Sequence, residues 1–183
     1  LATVGSAAPE PVTFESRPPH GPSLTLSGDL TKPDGSGPFP AVVLLHGCNG
    51  PWGPWDGVWA GRLVERGFVA LRVDSFGPRG HHRGICERDG LVGELATAED
   101  GHAAKDYLQT RPFVDADRIG VMGMSHGGGA VLWSVQNTYI VDVPRPDPFE
   151  AAVSFYPSCV STLYRLDAPL LILTGEMDDW TPS

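Results

Sequence analysis

Positive charge is scarce in this sequence: 13 Lys and Arg stand against 22 Asp and Glu, a formal net charge of −9 over 183 residues. Phosphate backbones are bound through clustered Lys and Arg, so nucleic acid is excluded as a partner. Long apolar runs are missing too. None approaches the roughly 20 residues that cross a bilayer as a helix, and no membrane partner is expected. Cysteine is limited to Cys48, Cys86 and Cys159, an odd number that leaves one unpaired within the chain. Two arrangements fit. Cys48 pairs with Cys86 while Cys159 joins a cysteine outside this sequence, or all three are free buried thiols of a cytosolic protein. His81, His82 and Cys86 lack any recognised ligand spacing, so no metal is expected. Gly127-Gly128-Gly129 lacks the lysine and the spacing of a phosphate loop. Internal repeats and a second-domain linker are also absent.

What is present describes one globular domain over residues 1–183, with 41% hydrophobic and 19% charged residues and enough chain to bury a continuous core. Residues 1–10 are small and apolar. They read either as the trailing end of a secretory signal, which implies a secreted or periplasmic protein, or as a flexible tail on a cytoplasmic one. Pro11 to Arg17 and Leu24 to Lys32 read as two strands about a proline-rich turn. Ala41 to Leu45 is a continuous apolar run that fits a strand buried on both faces of a parallel sheet. A helix around Val58 to Arg66, a strand over Phe68 to Val73 and a helical spacing from Val92 to Gln109 follow. Arg118 to Met122 is a short buried strand and Gly128 to Gln136 a buried helix; Ala151 to Tyr156 and Pro169 to Thr174 are the last strands. Strands alternating with helices make an α/β protein with a mostly parallel sheet and helices on both faces. Right-handed crossovers then bring the strand C-terminal ends to one edge, where such sheets bind ligands.

Three motifs fall at that edge. Gly123-Met124-Ser125-His126-Gly127 has the spacing of a nucleophile elbow, a strand turning sharply into a helix with the serine hydroxyl at its tip. An activated serine needs a base, an acid behind the base, and backbone donors for the oxyanion formed in acyl transfer. The donors expected here are the backbone N–H of His126, directly after the serine, and that of Cys48 in His46-Gly47-Cys48 after an earlier strand. Asp178, past the serine at the end of the last strand, fits the acid, with Asp179 its rival. Trp52, Trp55 and Trp59 are candidates to line the pocket, Trp59 being better suited to core packing. Arg79 is a candidate for a substrate carboxylate, with a loop carboxylate as the alternative partner.

Taken together and in order, several stretches resemble the dienelactone hydrolase family of the α/β-hydrolase fold, in particular its secreted, serine-bearing relatives. They are Leu44-Leu45-His46-Gly47-Cys48, Asp74-Ser75-Phe76-Gly77-Pro78-Arg79-Gly80, Val114-Asp115 with Arg118-Ile119, the elbow through Gly128, Phe155-Tyr156-Pro157, and Gly175-Glu176-Met177-Asp178-Asp179-Trp180-Thr181-Pro182. The resemblance covers the chain from about Leu24 onward and implies hydrolysis of a small-molecule ester or lactone without a cofactor. Dienelactone hydrolase itself uses a cysteine nucleophile; Ser125 here favours general ester hydrolysis.

The fold's catalytic histidine follows the acid, whereas His20, His46, His81, His82, His102 and His126 all precede Asp178. The expectation is a fragment that lacks its last strand, the catalytic histidine and the final helix. Its uncovered sheet edge would invite association of copies. The His126 side chain should point away from the serine hydroxyl, and His81 and His82, in a loop at the same edge, are the candidate substitutes for the base.

Overall fold

The computed structural model describes residues 8–19, 21–51, 53–87, 91–136, 147–158 and 165–181. Cys159 and Trp52 therefore lie outside the described residues, as do residues 1–7 of the N-terminal stretch.

Seven strands form one sheet: β1 (Glu10–Ser16), β2 (Leu24–Thr31), β3 (Phe39–Leu45), β4 (Val69–Asp74), β5 (Val114–Met124), β6 (Ala152–Phe155) and β7 (Leu170–Leu173). Their spatial order is β1-β2-β4-β3-β5-β6-β7. β2 pairs antiparallel with β1 and β4, and every later pairing is parallel. The apolar run of β3 is continuous from Ala41 to Leu45 because both faces of this central strand are covered.

Helices α2 (Glu94–Gln109) and α3 (His126–Ser134) cover one face. There Val43, Leu45, Leu71 and Val121 pack with Leu108, Ala130 and Val131. Helix α1 (Pro54–Val64) covers the other, where Val42, Leu44, Ala70 and Met122 meet Ala60 and Val64. No described helix is long and apolar enough to cross a membrane. Leu171, Ile172 and Leu173 of β7 are exposed, an uncovered apolar stretch on the last strand described.

Two elements differ from the sequence expectation. α1 starts at Pro54 rather than near Val58, because a proline fits the first helical turn, where no N–H partner is needed, and Asp56 favours that turn electrostatically. β5 starts at Val114 rather than Arg118. Phe39 pairs with Val114, then the register shifts before Ala41 meets Ile119, and this irregularity absorbs residues 115–118, whose Asp115, Asp117 and Arg118 break the apolar pattern.

Candidate active site

β3, β4 and β5 end side by side, and the chain leaves each in a tight loop. At the end of β5, Ser125 occupies φ 51° and ψ −119° between strand and helix. This is a backbone region that residues with a Cβ rarely adopt, and it persists only where surrounding structure enforces it. The enforcement is visible on both sides. Ser125 N–H donates to Phe155 C=O at 2.9 Å, and Gly129 N–H donates to Ser125 C=O at 2.9 Å as α3 begins. The flanking glycines are required by close approach. A Cβ on Gly123 would overlap the carbonyl of Gly127, and one on Gly127 would overlap that of Leu45. Ser125 is half-buried, and no described side chain hydrogen-bonds its Oγ.

The loop after β3 is held by His46, which is buried. Ser75 N–H donates to His46 Nε2 at 3.2 Å, and His46 Nδ1 lies 2.8 Å from the Gly47 carbonyl. Burial pushes the His46 imidazole below its ordinary pKa and keeps it neutral, so it spans the ends of β3 and β4 as an uncharged strut. Cys48 is disulfide-bonded to Cys86, the first of the two arrangements open from sequence. The same loops share a backbone bond, Ile85 N–H to Cys48 C=O at 2.7 Å, and Gly84 at φ +79° lets them approach. With its sulfur in this bond, Cys86 is not available as a metal ligand beside His81 and His82.

One cavity of about 320 Å³ gathers the predicted groups. Gly47, Cys48, Met124, Ser125 and Asp178 line it, together with Trp55, Asp56, Cys86, Tyr156 and Trp180. Asp178 accepts from Trp180 N–H at 3.0 Å, Thr181 N–H at 2.9 Å and Thr181 Oγ1–H at 2.6 Å. These donors, the Thr181 hydroxyl first, hold its carboxyl below the usual range and keep it ionised. Asp179 is not among the described lining residues.

The backbone N–H of His126 opens α3 and is one of the donors a helix start leaves without an intrahelical acceptor. Its ring turns elsewhere, with Nε2 3.0 Å from Thr97 Oγ1 and an edge contact to Phe76 at 5.3 Å. Burial lowers its pKa to about 4. His102 sits against Ser134 C=O at 3.2 Å, and His81 and His82 line a neighbouring cleft of about 650 Å³.

The structure does not bring Arg79 to the cavity. Its guanidinium donates to both carboxylate oxygens of Asp100, at 2.6 and 3.1 Å, and to Ser75 C=O at 2.7 Å. The Asp100 side chain is wholly buried, and a buried carboxylate needs a counter-ion. The loop-carboxylate alternative is the one realised. Trp59 packs against Phe155 at 5.3 Å in the α1 core, and Trp55 lines the cavity.

Of two further lining residues, Asp56 carries no signal that singles it out in the sequence, and Tyr156 stands out only as part of the Phe155-Tyr156-Pro157 stretch. Asp56 looks like an ordinary acid of a helix first turn, yet it is only 4% exposed, and burial raises its pKa to about 6. Tyr156 sits at φ 35° beside the elbow; burial and then Asp56 and Asp178 raise its phenol.

Residues 26–183 match the Dienelactone hydrolase family. A protein of Bradyrhizobium sp named "Probable 2-oxo-3-(5-oxofuran-2-ylidene)propanoate lactonase" is 26% identical over 176 residues, covering 84% of this chain and 65% of that protein. The Escherichia coli K12 protein YcjY is 34% identical over 113 residues, 60% of this chain and 36% of that one. The chain thus spans about a third to two thirds of the length of curated relatives it matches. Among solved structures, a dienelactone hydrolase-like promiscuous phosphotriesterase from metagenomic libraries superposes with a TM-score of 0.72 at 22% identity, over 94% of this chain and 71% of that one. The dienelactone hydrolase of Anabaena variabilis gives 0.67 at 23% identity, over 92% and 74%. At such identities the superpositions establish the fold, and it is that of the α/β hydrolases. With the family profile matched from β2 onward, this chain belongs to the dienelactone hydrolase family of hydrolases.

Proposed function

We propose that this hydrolase cleaves carboxylic esters, lactones included, through an acyl-enzyme on Ser125. The observation that supports the reading is the strained backbone of Ser125, a residue that lines one cavity with Cys48 and Asp178. A non-glycine residue held at φ 51° has to be kept there by its surroundings, and such strain clusters at functional sites.

In the proposed reaction a base takes the Ser125 hydroxyl proton as Oγ attacks the ester carbonyl. The resulting oxyanion accepts from the backbone N–H groups of Cys48 and His126. The C–O bond to the alcohol breaks, the alcohol leaves with the proton, and water then hydrolyses the acyl-serine by the same path. Asp178, ionised and fixed by Thr181 and Trp180, orients the base, which is a histidine. None of His46, His102 and His126 supplies it, because their rings are engaged elsewhere. No cofactor takes part. The partner is a small ester, and the Cys48–Cys86 bond supports secretion or a periplasmic location, where disulfides persist.

The test is a fluorophosphonate label followed by peptide mapping, paired with hydrolysis of p-nitrophenyl butyrate. Ser125 should carry the label, and Ser125→Ala should remove both label and turnover while the protein stays folded. Undiminished turnover in that variant sinks the assignment. A folded wild-type protein with neither label nor turnover would be a ligand-binding module instead.

A further inference from the structure

We infer that Phe76 is a positioning residue for the proposed oxyanion hole, its one buried ring bracing both loops that carry the N–H donors. The inference rests on the ester-hydrolase reading and adds to it a residue that is not among the described lining of the cavity.

The Phe76 ring meets two imidazoles. Its centroid lies 4.3 Å from that of His46 and 5.3 Å from that of His126, with interplanar angles of 75° and 64°. Both are edge contacts, the geometry aromatic pairs favour. Each histidine is tied to one donor. His46 Nδ1 lies 2.8 Å from the Gly47 carbonyl, and the N–H of that same peptide group is the Cys48 donor. Gly50 N–H also donates to this carbonyl, at 3.0 Å. A turn of the His46 ring would therefore turn the Cys48 N–H with it. The second donor is the backbone N–H of His126, whose ring is held by Phe76 and by Thr97 Oγ1, 3.0 Å from its Nε2.

Phe76 can brace both histidines because it is fixed itself. It is wholly buried, its N–H donates to Asp74 Oδ1 at 3.0 Å, and its carbonyl accepts from Arg79 N–H and His81 N–H, each at 3.0 Å. Ile85 and Val92 pack with it, and Cys48 packs against that cluster. Oxyanion donors act together only when both sit about 3 Å from the developing charge. Misplacement by about 1 Å costs up to about a hundredfold in rate. A single ring in contact with His46 and His126 keeps the two donors in mutual register.

Phe76→Leu keeps apolar volume and removes the ring. With the full chain and p-nitrophenyl butyrate, kcat should fall about tenfold or more while KM stays within about twofold, because the oxyanion forms only on the way to the transition state. The ketone 1,1,1-trifluoro-2-hexanone reads the donors directly. Ser125 Oγ adds to its carbonyl as the base takes the hydroxyl proton, leaving a hemiketal oxyanion where that of the ester would form. Its Ki should rise by about the factor by which kcat falls. Val92→Ala removes bulk from the same cluster; it should lower the urea midpoint and leave kcat and Ki in place.

Folded Phe76→Leu with unchanged kcat and Ki, or with raised KM and unchanged kcat, overturns the role. So does a fall in kcat without a rise in Ki, or a Val92→Ala variant that loses kcat to the same extent. Should Phe76→Leu not fold, Phe76→Met is judged by the same criteria; if neither folds, Phe76 is a core residue only and the proposal falls. A wild-type protein with neither Ser125 label nor turnover sinks the hydrolase reading itself, an outcome distinct from an active wild type matched by an equally active Phe76→Leu.

Discussion

Ser75 donates its backbone N–H to Nε2 of His46 at 3.2 Å, and this one bond fixes the histidine's proton on the opposite nitrogen. Nδ1–H is then the donor to the Gly47 carbonyl at 2.8 Å. The end of β4 thus sets the conformation of the loop after β3, one residue before Cys48. A neutral imidazole is required, since a protonated Nε2 would oppose the Ser75 donor. Burial supplies that condition by lowering the His46 pKa.

The Cys48–Cys86 bond secures the same loop from the other side, across a sequence separation of 38. Chain-entropy arguments give a loop of that length about 4 kcal/mol of stability. Reduction, or Cys86→Ser, is expected to remove about that much in urea unfolding. In steady-state ester hydrolysis it should lower kcat more than it raises KM, because the Cys48 N–H would lose its fixed position. Identical unfolding midpoints and kcat with and without reductant would refute this.

Arg79 is predicted to matter for stability and not for substrate affinity. Arg79→Met leaves the buried Asp100 carboxylate without its counter-ion, a loss of about 3 kcal/mol. Burial already raises the Asp100 pKa, against the pull of Arg79, so the unpaired acid should take up a proton and recover part of that loss. Adding Asp100→Asn to Arg79→Met should recover more. Denaturant unfolding measures this directly, alongside KM for a neutral ester, which should not move. A stable Arg79→Met variant with a raised KM would return Arg79 to the substrate.

Acid should destabilise the protein partly through His102. Its Nε2–H donates to Ser134 C=O, its ring packs on Phe149 at 4.8 Å, and burial lowers its pKa from 6.5 to about 4. The unfolded state therefore binds the proton more readily. The stability His102 contributes is fully present above pH 6.5 and is lost as the pH falls toward 4, about 3 kcal/mol in all. Asp56 works in the opposite sense. With its pKa raised to about 6, its contribution is present below its ordinary value and is lost as pH rises through 6. Comparing the pH slope of unfolding free energy in wild type and His102→Gln isolates the histidine, and equal slopes between pH 4 and 6.5 would contradict the assignment.

The sequence by itself determined the strand and helix succession, the elbow and the family. A short, valine-rich apolar run such as Ala41 to Leu45 fits a strand buried on both faces, and Gly123 and Gly127 stand where a Cβ has no room. That Asp178 and not its rival Asp179 lines the cavity came from the tertiary structure, where Asp178 accepts from the N–H groups of Trp180 and Thr181 in the turn after β7. The partner of Arg79 was also decided there. Asp100, 21 residues on, becomes its neighbour once α2 packs against the sheet. The Cys48–Cys86 pairing and the burial of Asp56 followed the same rule. Local periodicity encodes which face of an element is apolar, whereas the charges that meet across loops depend on how separate elements dock.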